Sequence, residues 1–193
     1  MKKYELTSET KVVMGKTLHR IKALVSFGCV NVGELGGWIE KEDNLSQDCD
    51  AWVSGDAWVF GNARVFGDAW VFGNARVSGD ARVSGDARVS GDARVSGDAR
   101  VSGDARVYGN ARVYGVGAIF WISGIGSRDG TTTFFACKDK KIRVICGCFF
   151  GTLDEFEKAV RKTHGENEHA KVYMLAIEMA KARIDLTKVD ADA

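Results

Sequence analysis

From Asp50 to Gly115 apolar and polar residues alternate with a period of six. Eleven consecutive hexads read Asp or Asn, Ala, Arg or Trp, Val, then Ser, Phe or Tyr, and Gly. The valines run from Val53 to Val113 without a break in frame. Ala and Val are two residues apart, so an extended segment points both to one side, which must be the interior. The Arg or Trp between them points outward, as does the residue after Val. Glycine supplies the positive φ of a tight corner, and Asp or Asn bonds local backbone there. A hexad therefore predicts one short strand and one turn. Three corners close a triangular coil of three hexads, or 18 residues. Upstream, Ile39 and Leu45 keep the spacing, but Leu45 to Val53 is eight, which predicts a two-residue insertion around Gln47–Cys49.

Residues 18 apart then stack at about 4.8 Å, the inter-strand spacing. One column reads Trp52, Trp70, Arg88, Arg106; the second Trp58, Arg76, Arg94, Arg112; the third Arg64, Arg82, Arg100. Stacked arginines repel unless neutralised. The array holds eight Arg and eight Asp, which reads as a solvated charge lattice, or alternatively as a cationic ladder for a polyanion. Trp52, Trp58, Phe60, Phe66, Trp70 and Phe72 all take outward positions in the first coils. So many outward aromatics need a cover. The candidates are residues 1–38, a subunit interface or a ligand groove.

The ends lose the period. Residues 1–38 read as cap strands over the open coil end (KKYEL, KVVMG, LHRIKALVSF, CVNVG), and the coil is expected over 39–122. Its last part, GVGAIFWISGIG, would complete or plug the final coil. Residues 123–193 read as a ββαα module. A turn at Asp139–Lys140 pairs TTTFFAC with IRVICGC, placing Thr131, Thr133, Phe135 and Cys137 on a face with Ile142, Val144, Cys146 and Cys148. Thr152 to Glu155 is a capping box opening a helix to about Thr163. A second helix follows from about Asn167 to Ile184 with a stripe of Met174, Ile177 and Ile184, and the tail TKVDADA is expected to fray.

The pattern Val, Ser, Gly, Asp, Ala, Arg resembles the hexapeptide-repeat family, the left-handed parallel β-helix of many acyltransferases. The resemblance implies the left hand; the usual crossover rule would favour a right-handed coil. YELTSET, LGGWIEKEDNLS, GSRDGTTTFF and CGCFFGTLDEFE further resemble an uncharacterised phage and prophage protein family, with Cys49 where that pattern has Gly. That resemblance implies an accessory protein of a bacterial cytoplasm.

Composition narrows the rest. There is no proline, which fits a coil whose N–H groups are mostly committed to neighbouring strands. The net charge of +1 excludes a uniformly basic nucleic-acid binder. Five cysteines are no disulfide framework and fit a reducing compartment. The first residues lack the apolar stretch of a signal peptide, and no apolar run reaches membrane-spanning length.

Acyltransferases of the resembled family use a coil histidine as base, yet no histidine lies between His19 and His164. The chain is therefore expected to be a non-enzymatic binding solenoid without a cofactor, with an acyltransferase-like enzyme as the alternative. Its expected partner is a host protein or a small anionic ligand, with sequestration of a nucleotide signal as a further reading. The loop with Ser127, Arg128, Asp129, Thr131, Thr132 and Thr133 gathers the groups that hold phosphate or carboxylate. Cys146, Cys148 and His164 are a weak metal candidate, since their spacing is not a paired Cys motif. Self-association through the outward aromatics is expected, with a trimer favoured.

Overall fold

The computed structural model describes residues 1–189. A long hairpin, β1 (Tyr4–Val13) and β2 (Lys16–Ala23), leads into β3 (Leu35–Ile39). Eleven two-residue rungs follow, β4 to β14, from Trp52–Val53 to Arg112–Val113. Stacked in parallel, the rungs make the three faces of a solenoid, in the orders β3-β5-β8-β11-β14, β4-β7-β10-β13 and β6-β9-β12.

The three outward columns pair as the 18-residue coil predicts: Trp52 with Trp70, Arg76 with Arg94, Arg64 with Arg82. Every Ala and Val of the rungs is buried, and every hexad glycine from Gly55 to Gly109 has φ between 60° and 71°. Gly115 is extended, because the chain leaves the coil there. N–H groups at the Arg and Ser positions donate to the next coil, as from Arg76 to Ala93 and from Ser78 to Val95 at 2.9 Å.

The insertion also appears. Ile39 stacks on Val59 and Leu45 on Val65, both 20 apart where later partners are 18 apart. Cys49 sits at φ 56°, the left-handed conformation that glycine would adopt at no cost.

Residues 1–38 hold one long hairpin, a Phe27–Val30 bridge and most of β3 rather than four short strands, and β2 adds antiparallel to the edge of β3. Side chains from this segment and the first turn replace a missing coil. The Lys3 ammonium donates to the carbonyls of Ala51 (2.9 Å), Cys49 (3.0 Å) and Asp48 (3.3 Å). Asn44 donates to the carbonyls of Ala63 and Gly61, and Glu40 accepts from Gly61 N–H. These polar groups satisfy coil-end backbone that burial would otherwise leave unpaired.

The C-terminal module differs from the expected ββαα unit. Its sheet has four antiparallel strands: β15 (Ile119–Ile125), β16 (Gly130–Ala136), β17 (Ile142–Cys146) and β18 (Phe149–Thr152). The segment expected to complete the last coil is β15, so the solenoid ends near Gly115 rather than at 122.

The β16–β17 register is shifted by one residue from expectation. Phe134 faces Val144 and Thr132 faces Cys146, so Thr132, Phe134 and Ala136 share the face assigned above to Thr131, Thr133 and Phe135. The cause is a three-residue loop, Lys138–Lys140, closed by Cys137 N–H to the Lys141 carbonyl with Lys140 at φ 55°. An odd-length loop ending in a left-handed residue adds one position to the hairpin, and one position exchanges the faces.

Helix α1 (Leu153–His164) starts at the capping box of Thr152 and Glu155, and α2 (Glu168–Arg183) is capped by Asn167. The buried face of α2 is Ala170, Tyr173, Ala176, Ile177 and Ala180, while Met174 is only half-buried. Of the tail expected to fray, Val189 is buried and Thr187 bonds Asp185; residues 190–193 lie outside the described residues. No helix among the described residues is long and apolar enough to cross a membrane.

Candidate functional site: a cationic groove on the solenoid

The outward aromatics do not form one patch. Trp52 is fully buried within its own chain, under Tyr4 (ring centroids 6.4 Å apart) and Phe27 (5.4 Å), so it is no interface residue. Its cover is residues 1–38, one of the three anticipated. The remaining aromatics are distributed around the prism. Phe66 lines a cleft of about 460 Å³ with Glu42, Asp43, Arg64 and Arg82. Trp70 and Phe72 line another of about 410 Å³, with Asp50, Asp68, Asp86 and Arg88. Phe60 lines a third and larger groove, of about 730 Å³.

These clefts differ in charge. The Phe66 cleft is mixed, the Trp70 cleft is mainly acidic, and the Phe60 groove carries Arg76, Arg94 and Lys188 with no carboxylate among the described residues of its wall. Ser78, Ser96 and Tyr114 complete its polar lining, and Met14, at the tip of the β1–β2 hairpin, also lines it.

The arginines are placed from above. Trp38 and Trp58 stack in neighbouring rungs, and the Lys11 ammonium lies over both rings, at 4.1 and 4.5 Å. Burial lowers the pKa of Lys11. Arg76 also lies over the Trp58 ring, at 4.2 Å, so the indole fixes where its guanidinium sits. Burial, and then the neighbouring charge of Arg94, lowers the Arg76 pKa, though at any ordinary pH it stays protonated. Arg112, the last of the column, folds inward and donates to the carbonyls of Ala111, Asp92 and Asn110.

Among the described residues no ion pair joins an arginine of the array to an aspartate. The aspartates instead stack along the corners, where Asn62 donates to Asp80 and Asn74 to Asp92 at 3.1 Å. The anticipated Arg–Asp lattice is thus neutral in sum but not paired. Arg76 and Arg94 are adjacent like charges that form no ion pair among the described residues, although the Asp92 charge also acts on Arg76.

The repeat matches the YdcK beta-solenoid repeat. Windows of that family model fall at 69–85, 75–91, 81–97, 87–103, 93–106 and 105–115, so the similarity covers residues 69–115 of the repeat array and neither its first hexads nor the ends of the chain. The first five windows step by six residues, the hexad read from the valines. No curated protein matches the chain.

The loop singled out for anion binding is dispersed. Ser127, Arg128 and Asp129 lie in the exposed β15–β16 turn. Thr131 shares a hydrogen bond with Ser123 (2.8 Å). Thr132 is buried and donates to the Cys146 sulfur at 3.2 Å; Thr133 is buried and accepts Arg106 N–H at 3.2 Å, which caps the last coil. At Gly126 a Cβ would collide with the Tyr173 hydroxyl, so the start of this loop serves packing.

The metal candidates also separate. Gly147 and Cys148 form the β17–β18 turn, with Cys148 exposed, while Cys146 lies within 3.5 Å of the Tyr173 hydroxyl. His164 packs on His169 and Tyr173. Among the described residues no three ligating side chains gather.

Sequence reading missed the groove because its residues come from three distant places. Met14 and Lys188 have no periodic signal, and the column Trp58, Arg76, Arg94 looks like any other until the hairpin covers its upper end.

Proposed function

We propose that the protein is a non-enzymatic binding scaffold that holds a small organic anion in the Phe60–Arg76–Arg94 groove. Adjacent guanidinium groups that form no ion pair among the described residues carry this reading. A phosphate or carboxylate would relieve their mutual repulsion and accept their fork-shaped donors. The groove also offers the planar faces of Phe60 and Tyr114. Rings beside paired arginines suit a phosphorylated planar compound, so a nucleotide signal falls within the class, and sequestering one in a phage–host setting is the role we favour. Binding is preferred to acyl transfer because no histidine lines the groove.

Titration with AMP, followed by calorimetry, tests the proposal, with inorganic phosphate as reference. AMP should bind more tightly than phosphate and more weakly as salt rises. Arg76→Gln and Arg94→Gln should each weaken it about tenfold or more, the equivalent of a charge-assisted hydrogen bond. Equal AMP affinity for the wild type and the double variant would overturn the assignment, as would no saturable AMP binding.

A further inference from the structure

A smaller cleft, of about 260 Å³, lies where the solenoid meets the C-terminal module. It is lined by Arg100, Val116, Ile119, Phe120, Trp121 and Arg183. Arg100 ends the column of Arg64 and Arg82, on a different face from the Arg76 groove. One coil further on, Ala118 replaces arginine, so the space beyond Arg100 is open to β15. Arg183 arrives from the end of α2. There Ile184 N–H bonds the Ala180 carbonyl, and Asp185 N–H bonds the Gly117 carbonyl at 2.9 Å, which ties the helix end to the 116–118 turn.

The helix C-terminus explains a cation at 183, but not its convergence with Arg100. Neither guanidinium makes a hydrogen bond or ion pair among the described residues, and the Trp121 indole N–H has no acceptor either. Among the described residues, the cleft wall therefore holds three side chains with free donors and no acidic one. Its other walls are hydrocarbon: Val116 is exposed, Ile119 buried, Phe120 half-buried.

We propose that this cleft binds a small monocarboxylate with an aryl or short hydrocarbon body. The carboxylate takes the planar donors of Arg100 and Arg183. The body covers Phe120, Trp121 and Val116, removing apolar surface from water. Apolar residues make up most of the wall, which selects an amphipathic anion over a fully hydrated one such as phosphate. The volume is below that of pockets for drug-sized ligands, so the occupant is of fragment size. Because the arginines belong to separate units, an occupant would brace the module against the last coil.

Benzoate is the probe, followed by tryptophan fluorescence and by hydrogen exchange of the intact protein. Saturable binding is expected, with slowed exchange in 116–121 and 183–185. Arg100→Gln and Arg183→Gln should each weaken benzoate about tenfold, while Arg100→Lys should recover part of the loss. Arg76→Gln/Arg94→Gln should leave the benzoate-induced slowing of exchange in 116–121 and 183–185 unchanged, which separates this site from the groove. No saturable benzoate binding, wild-type affinity in both single variants, loss of the exchange protection at 116–121 and 183–185 in the groove variant, or inorganic phosphate competing as well as benzoate would each overturn the proposal.

Discussion

The solenoid and the four-stranded C-terminal sheet are both β-structure, but register is set differently in each. In the solenoid, from Trp52 on, each rung meets the rung 18 residues on until the last coil, and eleven hexads repeat the same instruction. One hexad alone would be ambiguous, but together they are not. In the C-terminal sheet a single loop, Lys138–Lys140, decides which residues of β16 face the helices, and it decides by one residue. Redundancy makes a register legible, whereas a hairpin's register rests on local turn chemistry.

Phe134→Ala should have the largest effect. The ring is fully buried between Phe120 (5.8 Å) and Phe156 (6.2 Å), and its loss should cost about 3–5 kcal/mol. If the two regions are separate cooperative units, hydrogen exchange will show the module opening while the rungs stay protected. Equal loss of protection in both would end the comparison.

Gly79→Ala should come next, at about 1–3 kcal/mol. The residue has φ +66°, and a Cβ there would lie 2.9 Å from the Gly97 nitrogen in the next coil. Gly130→Ala in the module, where nothing lies within 4 Å, should barely move the denaturation midpoint. A similar cost at both positions would show that corner stacking does not limit the solenoid.

The smallest effect concerns acid stability at the hairpin–coil junction. Glu40 accepts from Lys16 at 2.7 Å and from Gly61 N–H, and these bonds hold its pKa below the usual carboxylate range. A depressed folded-state pKa contributes stability above the unfolded value, near 4.3, that is lost as pH falls through the folded one. Glu40→Gln should therefore lower stability at neutral pH by up to about 1 kcal/mol and flatten the acid limb of a stability–pH curve. An unchanged acid limb would show that the junction is held by Lys3 and Asn44 alone.

These tests also mark how far sequence reading extends. The hexads carried the columns, the corner glycines and the insertion before Val53, because each is a repeated or broken period. Thr152 and Asn167 marked both helix starts, since capping uses local residues. The burial of Trp52, the buried lysine at position 3 and the dispersal of Thr131, Thr132 and Thr133 have no local signal. Each depends on what an unrelated segment brings to it.

By itself, then, the sequence determined a parallel solenoid of three-hexad coils with two aperiodic ends, because apolar and polar residues alternate in a fixed frame and only one coil buries every Ala and Val. Tertiary structure decided which of three similar faces became the cationic groove, since the Phe60–Arg76–Arg94 face alone is bounded by the hairpin tip and Lys188. The reason is physical. A column of arginines is encoded by its period, but which groove it lines depends on which distant side chains fold beside it.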